Sequence, residues 1–80
     1  MQIKLLAFGI AKDILHERTM EWELSNGHTI GDLKAALVTR FREFEKLKSL
    51  RCAVNDTYVP DTYILSSDDE VILIPPVSGG

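Results

Sequence analysis

"VILIPPVSGG", residues Val71 to Gly80, decides how this chain is read. Val71 to Ile74 is an unbroken apolar run, the pattern of a strand buried on both faces in the middle of a sheet. Pro75 ends it, because proline has no N–H to give to a ladder. From Val71 onward no side chain is charged, and the last two residues have no side chain beyond hydrogen.

Working outward, Met1 to Phe8 has the same character. Ile3, Leu5 and Ala7 point one way, Leu6 and Phe8 the other, so a second strand buried on both faces is expected. Gly9 ends it, and Ile10 to Glu17 is mixed and reads as a short turn of helix. Met20, Trp22 and Leu24 alternate with Glu21 and Glu23, the period of a half-buried strand. Asn26-Gly27 is a turn signature. Thr29 stands three residues before Asp32, so a capping-box-like helix start is expected at Thr29. Ile30, Leu33, Leu37 and Phe41 follow at helical spacing, with Lys34, Thr39 and Arg42 available to solvent, and the helix should run to about Arg42. Arg51 to Val54 is a short strand, turned back at Asn55-Asp56 towards Tyr58 and Val59. Ser66 to Asp69 is a polar loop. If the first and last strands neighbour each other in parallel, everything between them is a crossover. The order strand, strand, helix, strand, strand, strand predicts an α+β fold of the ubiquitin-like β-grasp type. It has a mixed sheet, one main helix packed across it and a flexible C-terminal diglycine tail. The expected division is a domain over 1–75 and a tail over 76–80.

Eighty residues make one domain with room for a single core and little room for a deep catalytic cavity. The formal net charge is −3, and no Lys/Arg cluster alternates with aromatics, so nucleic-acid binding has no electrostatic basis. No apolar stretch approaches the length of a bilayer span, and the N-terminus does not read as a signal peptide. One cysteine, Cys52, excludes an internal disulfide and CxxC motifs. The expectation is a cytoplasmic protein without nucleic-acid or membrane partners.

Side chains that carry chemistry elsewhere read plainly here. Cys52 shares a strand face with Val54, while Arg51 points to the other face, so the thiol reads as a small buried hydrophobe. His16 and His28 lie in polar connections without a second ligand at helical spacing, and no metal site is expected. Glu21 and Glu23 are the wet side of a strand. Asp68, Asp69 and Glu70 read as a solvated turn before the last strand.

The tail remains. From Pro75 it can extend about 20 Å at roughly 3.3 Å per residue. Pro75 and Pro76 bias its base towards extended backbone, with less entropy to lose on binding. Gly79 and Gly80 can pass a narrow channel and adopt almost any backbone angle. Such an arm suits entry into another protein's active site. A terminal carboxylate with a pKa of about 3.5 is ionised and a poor electrophile, so chemistry at Gly80 requires activation, most simply adenylation by a partner. The acyl-adenylate then accepts sulfur, giving a thiocarboxylate, or an amine, giving an isopeptide link.

"AVNDTYVPDTYILSSDDEVILIPPVSGG", residues 53–80, resembles the C-terminal half of the small, sulfur-carrying subunits of molybdopterin synthase. Val54-Asn55, Asp69 to Val71 and Ile74 to Gly80 are the motifs that carry the resemblance. The opening "IKLLAFGIAKDI" and the helix start "TIGDL" also fit, and the likeness spans nearly the whole chain. Two positions depart from the family: Asp68 stands where many members have glycine, and the connection from Gly9 to Thr19 lacks a glycine that many members carry. Aspartate tolerates a left-handed turn better than most residues, so the first departure should cost little.

The resemblance implies a mechanism. A ubiquitin-activating-like adenylyltransferase uses ATP to adenylate Gly80, and sulfur transfer makes the thiocarboxylate. The tail enters the large synthase subunit and donates sulfur to a pyranopterin precursor. This chain would bind no cofactor and would not be catalytic alone. Gly80 would carry the reaction, and Gly79, Ser78, Val77, Pro76 and Pro75 would contact the partner. An apolar patch beside the tail would dock both partners; Phe8 reads equally as part of it or as core. Three other readings stay open: a sulfur carrier for thiamin synthesis or transfer-RNA thiolation, a ubiquitin-like modifier of lysines, and an interaction module with an inert tail.

Overall fold

The computed structural model describes residues 1–47 and 50–75. Its elements in chain order are β1 (Gln2–Ala7), α1 (Gly9–Leu15), β2 (Thr19–Glu23), α2 (Ile30–Arg40), a 3-10 turn (Arg42–Lys46), β3 (Arg51–Val54), β4 (Thr57–Val59) and β5 (Glu70–Ile74). The five strands form one mixed sheet in the order β2-β1-β5-β3-β4. β1 and β5 lie side by side in parallel, Leu5 opposite Val71 and Leu6 opposite Ile72. The hairpin partners β2 and β4 form the two edges. This is the ubiquitin-like β-grasp expected from the element order.

The core lies on one face of the sheet only. Ile3, Leu5 and Ala7 of β1, Val71 and Leu73 of β5, and Cys52 and Val54 of β3 are all buried there. α2 supplies Ile30, Leu33 and Leu37, each with 0 % of its surface exposed. Burying a side chain of this kind contributes roughly 1.5–3 kcal/mol. α1 adds Ala11, Ile14 and Leu15, and the 3-10 turn adds Phe44. The short turn of helix expected after Gly9 is therefore a seven-residue wall of the core.

The start of α2 shows how completely its backbone is satisfied. A helix leaves its first N–H groups without internal partners. Ile30 N donates to the Tyr63 carbonyl at 3.0 Å and Gly31 N to the Asp61 carbonyl at 2.9 Å. Asp32 N donates to Thr29 Oγ1 at 3.2 Å, and Thr29 N to Asp32 Oδ2 at 2.9 Å, closing the capping box in both directions. A Cβ at Gly31 would stand 3.4 Å from the Asp61 carbonyl oxygen, in ordinary contact with it. α2 stops at Arg40, before the expected Arg42, and Phe41 is its C-terminal cap in extended conformation.

Two expectations are corrected. β1 and β5 are not buried on both faces: Gln2 and Lys4 are exposed, and Leu6, Ile72 and Ile74 are half-buried. Apolar residues on the second face gave the pattern of a two-sided core, but only one helical layer covers the sheet. The second correction concerns the carboxylate run. Asp69 is 7 % exposed; it accepts from Ser66 N at 2.8 Å and from Asn55 Nδ2 at 3.3 Å. Asn55 in turn accepts from Glu70 N at 3.2 Å. This knot ties the β3–β4 turn to the entry of β5. Asp68 takes the left-handed conformation, φ 67°, that its resemblance to a glycine position implied. His16 ends α1 in the same conformation, φ 64°, in the connection that lacks the family's glycine.

Candidate docking face and tail root

The uncovered face of the sheet is ordered in rows by the strand register. One row runs Thr19, Leu6, Ile72, Ala53, Tyr58 across all five strands. The next row towards the end of β5 holds Ile74 opposite Arg51, with Phe8 following Ala7 on the neighbouring strand. Phe8 is 44 % exposed and Tyr58 64 % exposed, and Leu6, Ile72 and Ile74 are half-buried. In the opposite direction lie Gln2, Lys4, Glu21, Asp68 and Glu70, which surround one shallow concavity. The face is therefore apolar at one end and predominantly acidic at the other.

Two arginines border the apolar end. The Arg18 guanidinium lies 5.9 Å from the Phe8 ring centroid and that of Arg51 lies 5.6 Å from the Tyr58 ring. Both are exposed, and neither makes an ion pair among the described residues. On the helical side Arg40 is placed similarly, 5.3 Å from the Trp22 ring, but there it closes over the core.

The tail leaves from the apolar end. Ile74 is the last residue of β5 and Pro75, half-buried, follows it. Gly9 has φ +56°, a left-handed conformation that lets α1 begin directly after Phe8; a Cβ built there would stand 3.7 Å from Pro75 Cγ. Ile10, the next residue, is 49 % exposed. Phe8, Gly9 and Ile10 thus lie along the root of the tail. Pro76, Val77, Ser78, Gly79 and Gly80 lie outside the described residues.

Other groups singled out in the sequence stay apart from this face. Cys52 is 1 % exposed in the core, and burial pushes its thiol up to about 11, well away from a reactive thiolate. His28 lines a concavity between β2 and α2 together with Leu24 and Arg40. Among the described residues no three of His, Cys, Asp and Glu converge as metal ligands, and no helix is long and apolar enough to cross a membrane. Sequence reasoning reached Phe8 and Pro75 but missed Leu6, Ile72, Ile74 and Tyr58 as surface. The available signal was period two: Leu6 and Phe8 alternate against Ile3, Leu5 and Ala7, and with one main helix only one of those sets can be covered.

The comparisons with known proteins agree with this architecture. The model of the ThiS family matches residues 5–80. The molybdopterin synthase sulfur carrier subunit of Chlamydomonas reinhardtii is 34 % identical, over all of this chain and all of that protein. Among solved structures, SAMP1 from Haloferax volcanii superposes with a TM-score of 0.84 at 22 % identity, covering 100 % of both chains. The complex of subunits 1 and 2 of the molybdopterin-converting factor from Helicobacter pylori contains a chain that superposes with a TM-score of 0.62 at 27 % identity, again covering 100 % of both chains. With its strands (the start of β1 excepted), its helix start and its final apolar run inside the matched span, the chain belongs to the ThiS family.

Proposed function

We propose that this chain is a sulfur carrier in molybdenum cofactor biosynthesis, the small subunit of a molybdopterin synthase. The observation that carries this reading is end-to-end likeness to a sulfur carrier subunit, on a fold whose last strand runs into a Pro-Pro-Val-Ser-Gly-Gly arm. An adenylyltransferase partner supplies ATP: a carboxylate oxygen of Gly80 attacks the α-phosphorus and pyrophosphate leaves. Sulfur delivered at the oxidation level of hydrosulfide then displaces AMP from the acyl carbon, leaving the thiocarboxylate. In the large subunit the thiocarboxylate sulfur bonds to a carbon of the pyranopterin precursor and displaces an oxygen substituent, and water cleaves the resulting thioester, returning Gly80 to the carboxylate and leaving the sulfur on the precursor.

The chain's own part is delivery. Two consecutive prolines bias the base of the arm towards extended backbone, Val77 and Ser78 are its side chains for the partner's channel, and the glycines leave the acyl carbon unshielded. The apolar end of the open face, with Phe8 at its centre, docks the partner while the arm is inserted. The helix-covered side holds the fold and takes no part. No cofactor is held by this chain, and the reading places it in the cytoplasm, where a lone buried thiol needs no oxidising compartment.

The test is the intact mass of the chain purified from its own host, with a second form carrying one residue after Gly80. A population heavier by one oxygen-to-sulfur exchange, mapped to Gly80, is expected for the natural chain and absent from the extended one. An extended chain that still supports molybdopterin synthesis without being trimmed overturns the reading. So does a natural chain found only as a conjugate on lysines of other proteins.

A further inference from the structure

The rows of the open face carry charge in a fixed order. At the tail end stand the Arg18 and Arg51 guanidiniums, and at the far end Glu21, Asp68 and Glu70 surround Lys4, while Glu23 is paired with the Met1 ammonium at 3.2 Å. Between them lie Leu6, Ile72 and Tyr58. Each arginine rests over an aromatic ring of the same face, so its planar head is held near the surface before any partner arrives. A charge held in place loses less entropy on pairing than a free side chain does.

We infer that the large-subunit partner of the proposed reading presents carboxylates beside its tail channel, and that Arg18 and Arg51 are the residues of this chain that read them. The inference rests on that reading and adds the chemistry of the partner's surface. The apolar patch alone does not set an orientation, since a row of Leu, Ile and Tyr fits an apolar surface turned either way. The charges do set it. In one orientation the partner's acidic rim meets the arginines and the arm points into the channel. Rotated by half a turn within the plane, the same rim meets Glu21, Asp68 and Glu70 and is repelled. Like-charge juxtaposition at an interface suppresses the wrong docking mode more effectively than apolar contact rewards the right one. The chain's net charge of −3 repels an acidic partner at long range, so the two arginines also supply the local attraction that brings the tail end in first.

The experiment is stopped-flow association of the chain with its own organism's large synthase subunit, at low salt and at about 1 M salt, where the screening length falls to about 3 Å. The variant Arg18→Glu with Arg51→Glu is compared with Arg42→Glu with Lys46→Glu, an equal change of net charge on the 3-10 turn of the helical side. At low salt the first pair should associate about tenfold more slowly than the natural chain, and the second pair should stay within about twofold. At high salt the difference should close. Trp22 emission reports that each variant is folded, and Arg18→Gln with Arg51→Gln replaces the reversal if it does not fold, with a smaller loss in the same direction. The inference is overturned if the open-face arginine variants associate as fast as the natural chain, or if the 3-10 turn pair slows association as much. If the natural chain does not bind the large subunit at all, the functional reading itself fails and takes this inference with it.

Discussion

The two faces of one sheet are built from the same strands and share apolar residues, yet they are buried to different extents. On the covered face Leu5, Val71 and Leu73 are wholly buried under α2. One residue further along, Leu6 and Ile72 are paired in register on the other side and remain half-buried. The difference is not in hydrophobicity but in what lies opposite. A single helical layer can cover one face of a five-stranded sheet, and the apolar residues left on the other are available to another molecule. Stability is therefore concentrated on one face, and the proposed docking surface is the other.

The largest effect that would break this division is in stability. Leu5→Ala leaves a cavity beneath α2 and should cost about 2–5 kcal/mol, a large part of what an 80-residue domain has. Ile72→Ala, on the open face of the adjacent strand, removes a partly solvated side chain and should cost about 1 kcal/mol. Urea unfolding followed by Trp22 emission measures both. Equal losses would mean that the open face is as much a part of the core as the covered one.

How much of this was legible in the sequence follows from the same asymmetry. β2 and α2 announced themselves because their patterns record burial on one side and solvent on the other: Met20, Trp22 and Leu24 against Glu21 and Glu23, and Ile30, Leu33 and Leu37 behind Thr29. β1 and β5 were found and correctly paired, but their second apolar face was taken for core. Sequence records that a side chain is apolar; it does not record whether the partner covering it belongs to the same chain. Asp69 was misread for a related reason. Its neighbours Asp68 and Glu70 are polar, and nothing local shows that Ser66 N and Asn55 Nδ2 fold around its carboxylate. The tail reading rests on the last residues of the sequence, which lie outside the described residues, whereas Arg18 and Arg51 needed the fold, because one precedes β2 and the other opens β3, 33 residues apart, and the sheet brings them to one end.

A smaller effect tests what holds the covering helix in place. Hydrogen bonds from the Thr29 backbone N–H and then the Thr29 hydroxyl hold the Asp32 carboxyl below its usual range. A carboxylate whose pKa is lower in the folded state stabilises the fold above its unfolded pKa, and that contribution is lost as pH falls through the folded value. Asp32→Asn should therefore be less stable than the natural chain near neutral pH, and the two should converge in acid. Urea midpoints from neutral pH down into the acid range measure the gap. A gap that is constant with pH would mean that the asparagine's loss is steric and that the charge of the capping box does not secure α2.

The smallest expected change in stability is the most informative about the open face. Phe8 is the N-cap residue of α1, with φ −134° and ψ 159°, and its side chain makes no capping hydrogen bond. Serine is a favoured residue at that position, with a cap worth typically about 1 kcal/mol. Phe8→Ser gives up the contact with Arg18, worth about 0.5–1 kcal/mol at an exposed site, and gains a cap. The two nearly cancel, so unfolding should stay within about 0.5 kcal/mol of the natural chain. Docking to the large subunit should weaken, because the ring stands at the tail root and holds one of the two arginines. An unfolding midpoint that moves little while partner affinity falls would show that a residue poorly suited to its helix position is retained for the surface it makes. If stability falls by several kcal/mol instead, Phe8 belongs to the core despite its exposure, and the boundary between the two faces lies one row further along the sheet.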